Sequence, residues 1–532
     1  MSCNKPRFIN ASLNNLDHDD SCNIENCKTL ATSYNSIREQ CGLYTDPIFQ
    51  DFRFGPICDA LDEFKKRGLN KLDLIFWKII MAALFPWDSD YDIFRQNVNR
   101  RFVFFPWVIA MCKTERQVRN ALMKAIKYRI PLCIRSGAHC YEPYSLCDGM
   151  IIDQSRRTGI KIDKKRQVVT IQSGCLLGPT AYELSKEGLA IASGTCANVG
   201  ITGLALGGGV GFISRAFGLV SDNLVELTMI DAEGKQLIVN EKQHPDLFWA
   251  LQGAGGGNFG IVTSLTLKTH PITNVYILEL RWSADRLSEV LTRWLEWGPE
   301  ADRDLTTELD VYAINKSNPL PILITGVYIG KCKDDLEEIL KPLFDLDPLE
   351  VKIWPTSYIE SIRHFTYQRF PAPFFKNKST YVKSILPGNI ANVVIKFMRK
   401  AGPNDRLEFN GLGGAYDDKK PDETAYPHRG MLAWIQWICR WGANSDNTKN
   451  ADPWEDYNKA PEKFKWLFSF YNEFTKEAGE TIKGAYVNCP ESELEDWAPK
   501  YYGNNLPRLL KIKKKWDPNN VFNFPQGLSQ LI

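Results

Sequence analysis

Arg135-Ser136-Gly137-Ala138-His139 and Gly194-Thr195-Cys196-Ala197-Asn198-Val199-Gly200 are two glycine-rich frames, one carrying an imidazole and the other a thiol. Glycine is needed where a backbone must come close to a ligand or adopt positive φ. Each frame therefore reads as a loop shaped around something. A histidine by itself is more often a buried hydrogen-bonded side chain, and a lone cysteine a small buried hydrophobe. It is the frames that lift this pair above that reading. Brought to one cavity, an imidazole and a thiol can bond a redox cofactor at two points, leaving the protein to bind and orient it.

The second frame runs into Gly200-Ile201-Thr202-Gly203-Leu204-Ala205-Leu206-Gly207-Gly208-Gly209-Val210-Gly211. A packing turn needs one or two glycines. Here Gly200, Gly203, Gly207, Gly208, Gly209 and Gly211 are expected to present N–H groups to a pyrophosphate. A second run, Gly253-Ala254-Gly255-Gly256-Gly257-Asn258-Phe259-Gly260, contains G-x-G-x-x-G. A dinucleotide fingerprint follows a strand and opens a helix. This run instead follows a helical pattern, Pro245–Leu251, and precedes a strand pattern, Ile261–Leu267, so a Rossmann domain is excluded. No Gly-Lys-Ser/Thr follows either run, which removes a P-loop.

The chain of 532 residues exceeds a single core. Its 65 basic and 63 acidic residues leave a net charge of +2, so no nucleic-acid partner is expected. The start, Met1-Ser2-Cys3-Asn4-Lys5, has no apolar signal region, which gives the expectation of a cytoplasmic protein or one packaged into a particle. The most apolar stretch, Leu74 to Phe85, is interrupted by Lys78 and is shorter than the about 20 residues a bilayer requires, so no membrane partner is expected. Of the 14 cysteines, Cys3, Cys22, Cys27, Cys41 and Cys58 fall near the N-terminus. Nothing completes a zinc set around Cys22 and Cys27, and no metal is expected.

Thr114 to Tyr128 reads as a capped amphipathic helix with Val118, Leu122 and Ile126 on one stripe. Ile130–Ile134, Gly149–Asp153, Ile160–Ile162 and Val168–Ile171 read as short strands at intervals that fit an α+β sheet.

The stretch from Asp90 to Pro271 resembles the FAD-binding domain of the vanillyl-alcohol-oxidase (p-cresol methylhydroxylase, PCMH) superfamily, and within it the berberine-bridge-enzyme-like oxidases. The likeness is carried by Arg135 to His139, Asp153, Ser173-Gly174, Gly194-Thr195-Cys196, Gly200 to Gly211, Gly218 to Asn223, Asp246 to Ala250, and Gly255 to Thr263. The tail matches through Tyr501 to Asn505, Arg508-Leu509, Lys513 and Asp517 to Gln526. The resemblance implies an α+β fold: a two-sub-domain FAD-binding lobe (PCMH type) plus an antiparallel-sheet substrate lobe backed by helices. The expected divisions are 1–88, an N-terminal extension of unassigned role; 89–272, FAD-binding; 273–484, substrate-binding; and 485–532, a C-terminal segment returning to the FAD lobe. Residues 1–88 carry no likeness and offer a surface for a homo-oligomer.

By the same resemblance, His139 falls where imidazole links to the flavin 8α carbon and Cys196 where sulfur links to C6. Arg135, Ser136, Gly137, Ala138, Val199, Asn258, Gly260, Val262, Tyr486 and Asn488 join the glycine run as expected FAD contacts. Tyr141 matches an active-site tyrosine, Val199 a small residue that leaves oxygen access, and Gln436 a position that often holds Gln or Glu. The chain departs from the family at Tyr486-Val487-Asn488-Cys489, where the last position usually holds a tyrosine that acts as base. Proton removal is then expected from Tyr141, Cys489 or a group near Gln436. The implied activity is hydride transfer from a substrate C–H to FAD with O2 as acceptor, the substrate being an alcohol, sugar or phenolic metabolite. The alternatives are a flavin-loaded structural or packaging protein and a dehydrogenase with another acceptor.

Overall fold

The computed structural model describes residues 54–369, 374–442 and 460–532, so Cys3, Cys22, Cys27 and Cys41 lie outside the described residues. Cys58 forms a disulfide.

The first lobe has two sheets. In one, β1 (Ala83–Leu84), β2 (Val108–Met111), β3 (Leu132–Arg135) and β4 (Met150–Asp153) lie in the order β1-β2-β4-β3. β2 and β3 run parallel to β4, while β1 is antiparallel to β2. Every residue of β2 and β4 is buried, as suits strands covered on both faces. Helix Glu115–Lys127 covers this sheet. The Thr114 hydroxyl accepts from Gln117 N at its start, and Val118, Ala121, Leu122 and Ala125 face inward.

The second sheet is antiparallel: β5 (Ile160–Asp163), β6 (Val168–Gln172), β8 (Leu224–Ile230), β9 (Gln236–Val239) and β10 (Ile261–Lys268), in the order β5-β6-β10-β8-β9. A short pair, β7 (Leu189–Ala190) and β11 (His270–Pro271), ties the chain down before it leaves the lobe.

The second lobe is one eight-stranded antiparallel sheet. It comprises β12 (Asn274–Trp282), β13 (Leu305–Tyr312), β14 (Ile322–Tyr328), β15 (Glu350–Ser357), β16 (Phe374–Val382), β17 (Arg406–Gly411), β18 (Ala433–Trp441) and β19 (Ile482–Lys483). The order is β15-β12-β14-β13-β17-β18-β16-β19. Helices Leu287–Trp297, Lys333–Phe344, Ile390–Met398 and Ala460–Ala478 cover one face, meeting Leu407, Phe409, Ile435 and Trp437. β17 and β18 are buried along their full length on both faces. Their other face, turned to the first lobe, is polar: Arg406, Glu408 and Asn410 alternate with the helix-facing residues.

The boundary expected near residue 88 has no structural counterpart. β1 belongs to the first sheet, and Phe64, Trp77 and Met81 share a core with Val118, Leu122 and Phe522. The described part of the N-terminal region is thus built into the first lobe, because its helices supply the apolar cover that β1 and β2 need. From Tyr486 the tail returns to that lobe. There, fully buried Lys513 on helix Leu506–Trp516 donates to Asn258 O (2.8 Å), Phe522 O (2.8 Å) and Asp517 Oδ2 (2.6 Å).

Candidate active site

The two frames interlock glycine to glycine. A Cβ on Gly137 would lie 2.5 Å from Gly200 N, and one on Gly200 would lie 2.7 Å from Gly137 N. Only the absence of both side chains lets the loops touch. The Ser136 hydroxyl donates to Ser173 O, and Ala138 sits at φ 52°, the left-handed region that costs a non-glycine residue free energy. This contact brings His139 and Cys196 to a single cleft between the lobes, about 1960 Å³ with its open mouth included. Its closed part, about 310 Å³, falls at the low end of the about 300–1,000 Å³ of sites for drug-sized ligands.

The cleft wall includes Ser136, Gly137, Ala138, His139 and Tyr141 from the first frame, and Cys196, Val199, Gly200 and Gly203 from the second. Asn258 and Gly260 come from the loop before β10, Val262 from β10 itself, and Tyr486, Asn488 and Cys489 from the tail. Arg406, Glu408, Asn410, Trp434, Gln436, Ile438 and Arg440 line it from β17 and β18, with Glu408 directly opposite Gln436 in register. Glu408 accepts from Arg406 and, at 2.9 Å, from Asn410 Nδ2; Arg406 also reaches Asp310 on β13 at 3.5 Å.

A family model described as "FAD binding domain" matches residues 106–240, and one described as "Berberine and berberine like" matches residues 485–529. The chain is 34% identical over 455 residues to the uncharacterized FAD-linked oxidoreductase YgaK of Bacillus subtilis (strain 168), across 84% of this chain and 96% of that protein. It is 30% identical over 476 residues to a carbohydrate oxidase of Microdochium nivale, across 83% and 92%. Physcomitrella patens BBE-like 1 superposes at a TM-score of 0.75 with 29% identity, across 85% of this chain and 98% of that one. The chain belongs to the berberine-bridge-enzyme-like FAD-linked oxidoreductases.

The residues of this FAD-linked oxidoreductase fit the cofactor. Burial lowers the His139 pKa to about 4, so the imidazole is neutral at pH 7 and keeps the lone pair that a bond to a ligand needs. Trp434 Nε1, Gln436 Nε2 and the Tyr144 hydroxyl line the cleft, buried with no hydrogen-bond partner among the described residues. Buried donors left in that state cost about 1–3 kcal/mol each, which a bound polar ligand offsets. A Cβ on Gly203 would meet nothing within 4 Å, so this glycine opens onto the cleft.

Five expected contacts lie elsewhere. Gly207, Gly208, Gly209 and Gly211 are absent from the cleft wall, and their N–H groups are used inside the protein. Gly207 N donates to Leu204 O (3.2 Å), Gly208 N to Ala205 O (3.2 Å), Gly209 N to the Tyr486 hydroxyl (3.0 Å) and Gly211 N to Ser214 Oγ (2.9 Å). They are packing glycines: a Cβ on Gly208 would strike Tyr426, and one on Gly209 would strike Val220. Arg135 is a tether rather than a cofactor contact. Its Nε donates to Asp153 Oδ2 at 2.5 Å and its NH2 to Phe94 O, which fixes β3 to β4.

Two expected bases are held protonated. Burial pushes the Cys489 thiol well above its ordinary range, with Glu408 and Cys140 adding to the effect. Burial likewise raises the Tyr141 phenol, against a smaller lowering by Gln436. The sequence reading missed Glu408, Arg406, Asn410 and Arg440. The signal was available in the alternation Arg406-Leu407-Glu408-Phe409-Asn410, a strand polar on one face.

Proposed function

We propose that the protein is an oxidase for a polyhydroxylated substrate of carbohydrate class, with its FAD bonded through His139 and Cys196 and Glu408 as the proton acceptor. The observation that carries this reading is the floor of the cleft: Arg406, Glu408, Asn410, Gln436 and Arg440 on adjacent strands, all buried. Substrate hydroxyls would pair with this row, whereas an aromatic alcohol would leave much of it desolvated at about 1–3 kcal/mol per unpaired group. Similarity to the carbohydrate oxidase of Microdochium nivale supports the same class.

FAD held by His139, Cys196 and the glycine frames would supply the hydride-accepting chemistry, with O2 as the final acceptor and H2O2 as the product. The chain's own residues do the rest. Glu408, an acceptor-only group when ionised, takes the proton of the hydroxyl being oxidised, while Arg406 and Asn410 hold its carboxylate in place. Tyr141 orients the substrate from the first lobe and Gln436 from β18 beside Glu408. Cys489 keeps its proton and shapes the wall. Val199, a small residue on the cleft, leaves room for O2.

The test is O2 consumption and bleaching of flavin absorbance across mono- and oligosaccharides and aromatic alcohols. Turnover of sugars with H2O2 release is the expected result. Turnover of aromatic alcohols alone overturns the substrate class. Bleaching reversed only by an artificial acceptor identifies a dehydrogenase, and no bleaching by any substrate favours the structural role. Mass and spectrum of the acid-denatured protein test the linkage. His139→Ala and Cys196→Ala should each retain one bond, and flavin released from the unmodified protein overturns attachment.

A further inference from the structure

Helix Lys71–Met81 has two apolar faces. Leu74, Trp77 and Met81 enter the first lobe's core, whereas Leu72, Ile75, Phe76 and Ile79 stand 75%, 37%, 50% and 72% exposed. Their spacing (i, i+3, i+4, i+7) makes a continuous stripe along the helix. Scattered exposed apolar residues need no explanation, but a contiguous stripe marks a surface that binds something. Charge chooses the partner. Lys124 Nζ lies 5.8 Å from the Phe76 ring centroid, and Lys127 Nζ lies 5.0 Å from that of Tyr128, which packs on Trp77. Of the nearby acids, Asp73 accepts from Asn70 N as part of the helix cap, and Glu63 is paired with Lys66 and Arg67. Asp62 is exposed. A second copy docked stripe to stripe about a two-fold axis would bring the lysine edges together, and they would repel. An anionic lipid headgroup layer complements them, with the stripe lying among the acyl chains below.

We propose that the Leu72/Ile75/Phe76/Ile79 stripe, edged by Lys124 and Lys127, docks the protein on an anionic lipid surface. The site lies outside the cleft and stands apart from the oxidase reading. The test is co-sedimentation of the full chain with phosphatidylcholine vesicles, with and without phosphatidylserine, over a salt series. Binding to the anionic vesicles, weakened by salt, is the expected result. The Leu72→Ser/Phe76→Ser/Ile79→Ser variant should abolish it, and Lys124→Glu/Lys127→Glu should weaken it by about tenfold or more. Retained flavin absorbance controls for folding in both, since the altered side chains lie outside the cleft. Equal binding to neutral and anionic vesicles overturns the proposal. So does a dimer in sedimentation velocity that the serine variant dissociates, which would assign the stripe to a second copy. Absence of both vesicle binding and a dimer also overturns it.

Discussion

At Gly137 and Gly200 the arrangement of the site turns on two missing methyl groups. The loops carrying His139 and Cys196 touch through backbone, so a Cβ on either has nowhere to go but into the other loop's main chain. Gly137→Ala is expected to separate the frames and cut flavin incorporation several-fold with little loss of secondary structure, read as the ratio of flavin to protein absorbance. Glu408 and Cys489 make an opposed pair of predictions. Glu408→Gln removes the proton acceptor while keeping the shape, so kcat/KM should fall by about 10²–10⁴ with the flavin spectrum unchanged. The rise of kcat/KM with pH that a carboxylate base produces should vanish as well. Cys489→Ala should change the pH profile little, because burial already keeps that thiol protonated.

Among the elements, the tail helix Leu506–Trp516 is held by one cation. The Lys513 ammonium satisfies two carbonyls and Asp517, while Asp517 also accepts from Val521 N at 2.8 Å and Phe522 N at 2.9 Å. Lys513→Met leaves that carboxylate buried without its cation. The expected cost is about 3–5 kcal/mol, checked by denaturant unfolding. Because Lys513 also anchors Asn258 O on the cleft wall, the variant should lose flavin more readily on dialysis. The strands β17 and β18 teach a related lesson. Their alternation is plain in the sequence, but it does not say which face is polar because it meets solvent and which because it meets a ligand. Both faces are buried here, and that fact belongs to the sheet and its covering lobe.

Across the whole molecule, stability should depend on pH through histidines that burial keeps neutral. His428, stacked on Tyr381 at 4.1 Å, has its pKa lowered from 6.5 to about 3, and His270 to about 4, in each case chiefly by burial. Below about pH 6.5 the unfolded chain binds these protons and the folded chain does not. Their contribution is therefore fully present above that value and is lost as pH falls toward 3–4, at ~1.4 kcal/mol per pH unit for each group. Tm should fall steadily across that window, and His428→Phe, which keeps the ring stack, should flatten part of the slope. The lobes are also joined by a buried ion network: Lys376 on β16 contacts Glu142 of the first lobe at 2.5 Å and Glu493 of the tail. Lys376→Met should loosen lobe closure, seen as faster proteolysis between the lobes.

The sequence by itself determined the local chemistry: glycine frames around an imidazole and a thiol, a helix-then-strand order that excludes a Rossmann domain, and short apolar runs that mark strands of the first lobe. These are properties of neighbours along the chain, where steric and periodic rules act. Only the tertiary structure decided which glycines face the cleft. Gly200 and Gly203 open on the cleft, while Gly207, Gly208, Gly209 and Gly211 spend their N–H groups on packing, and the string of letters is the same for both. It also decided that Cys489 stays protonated and that Glu408 faces the site from across the sheet. Burial and pairing between distant strands set those outcomes, and neither is a function of local sequence.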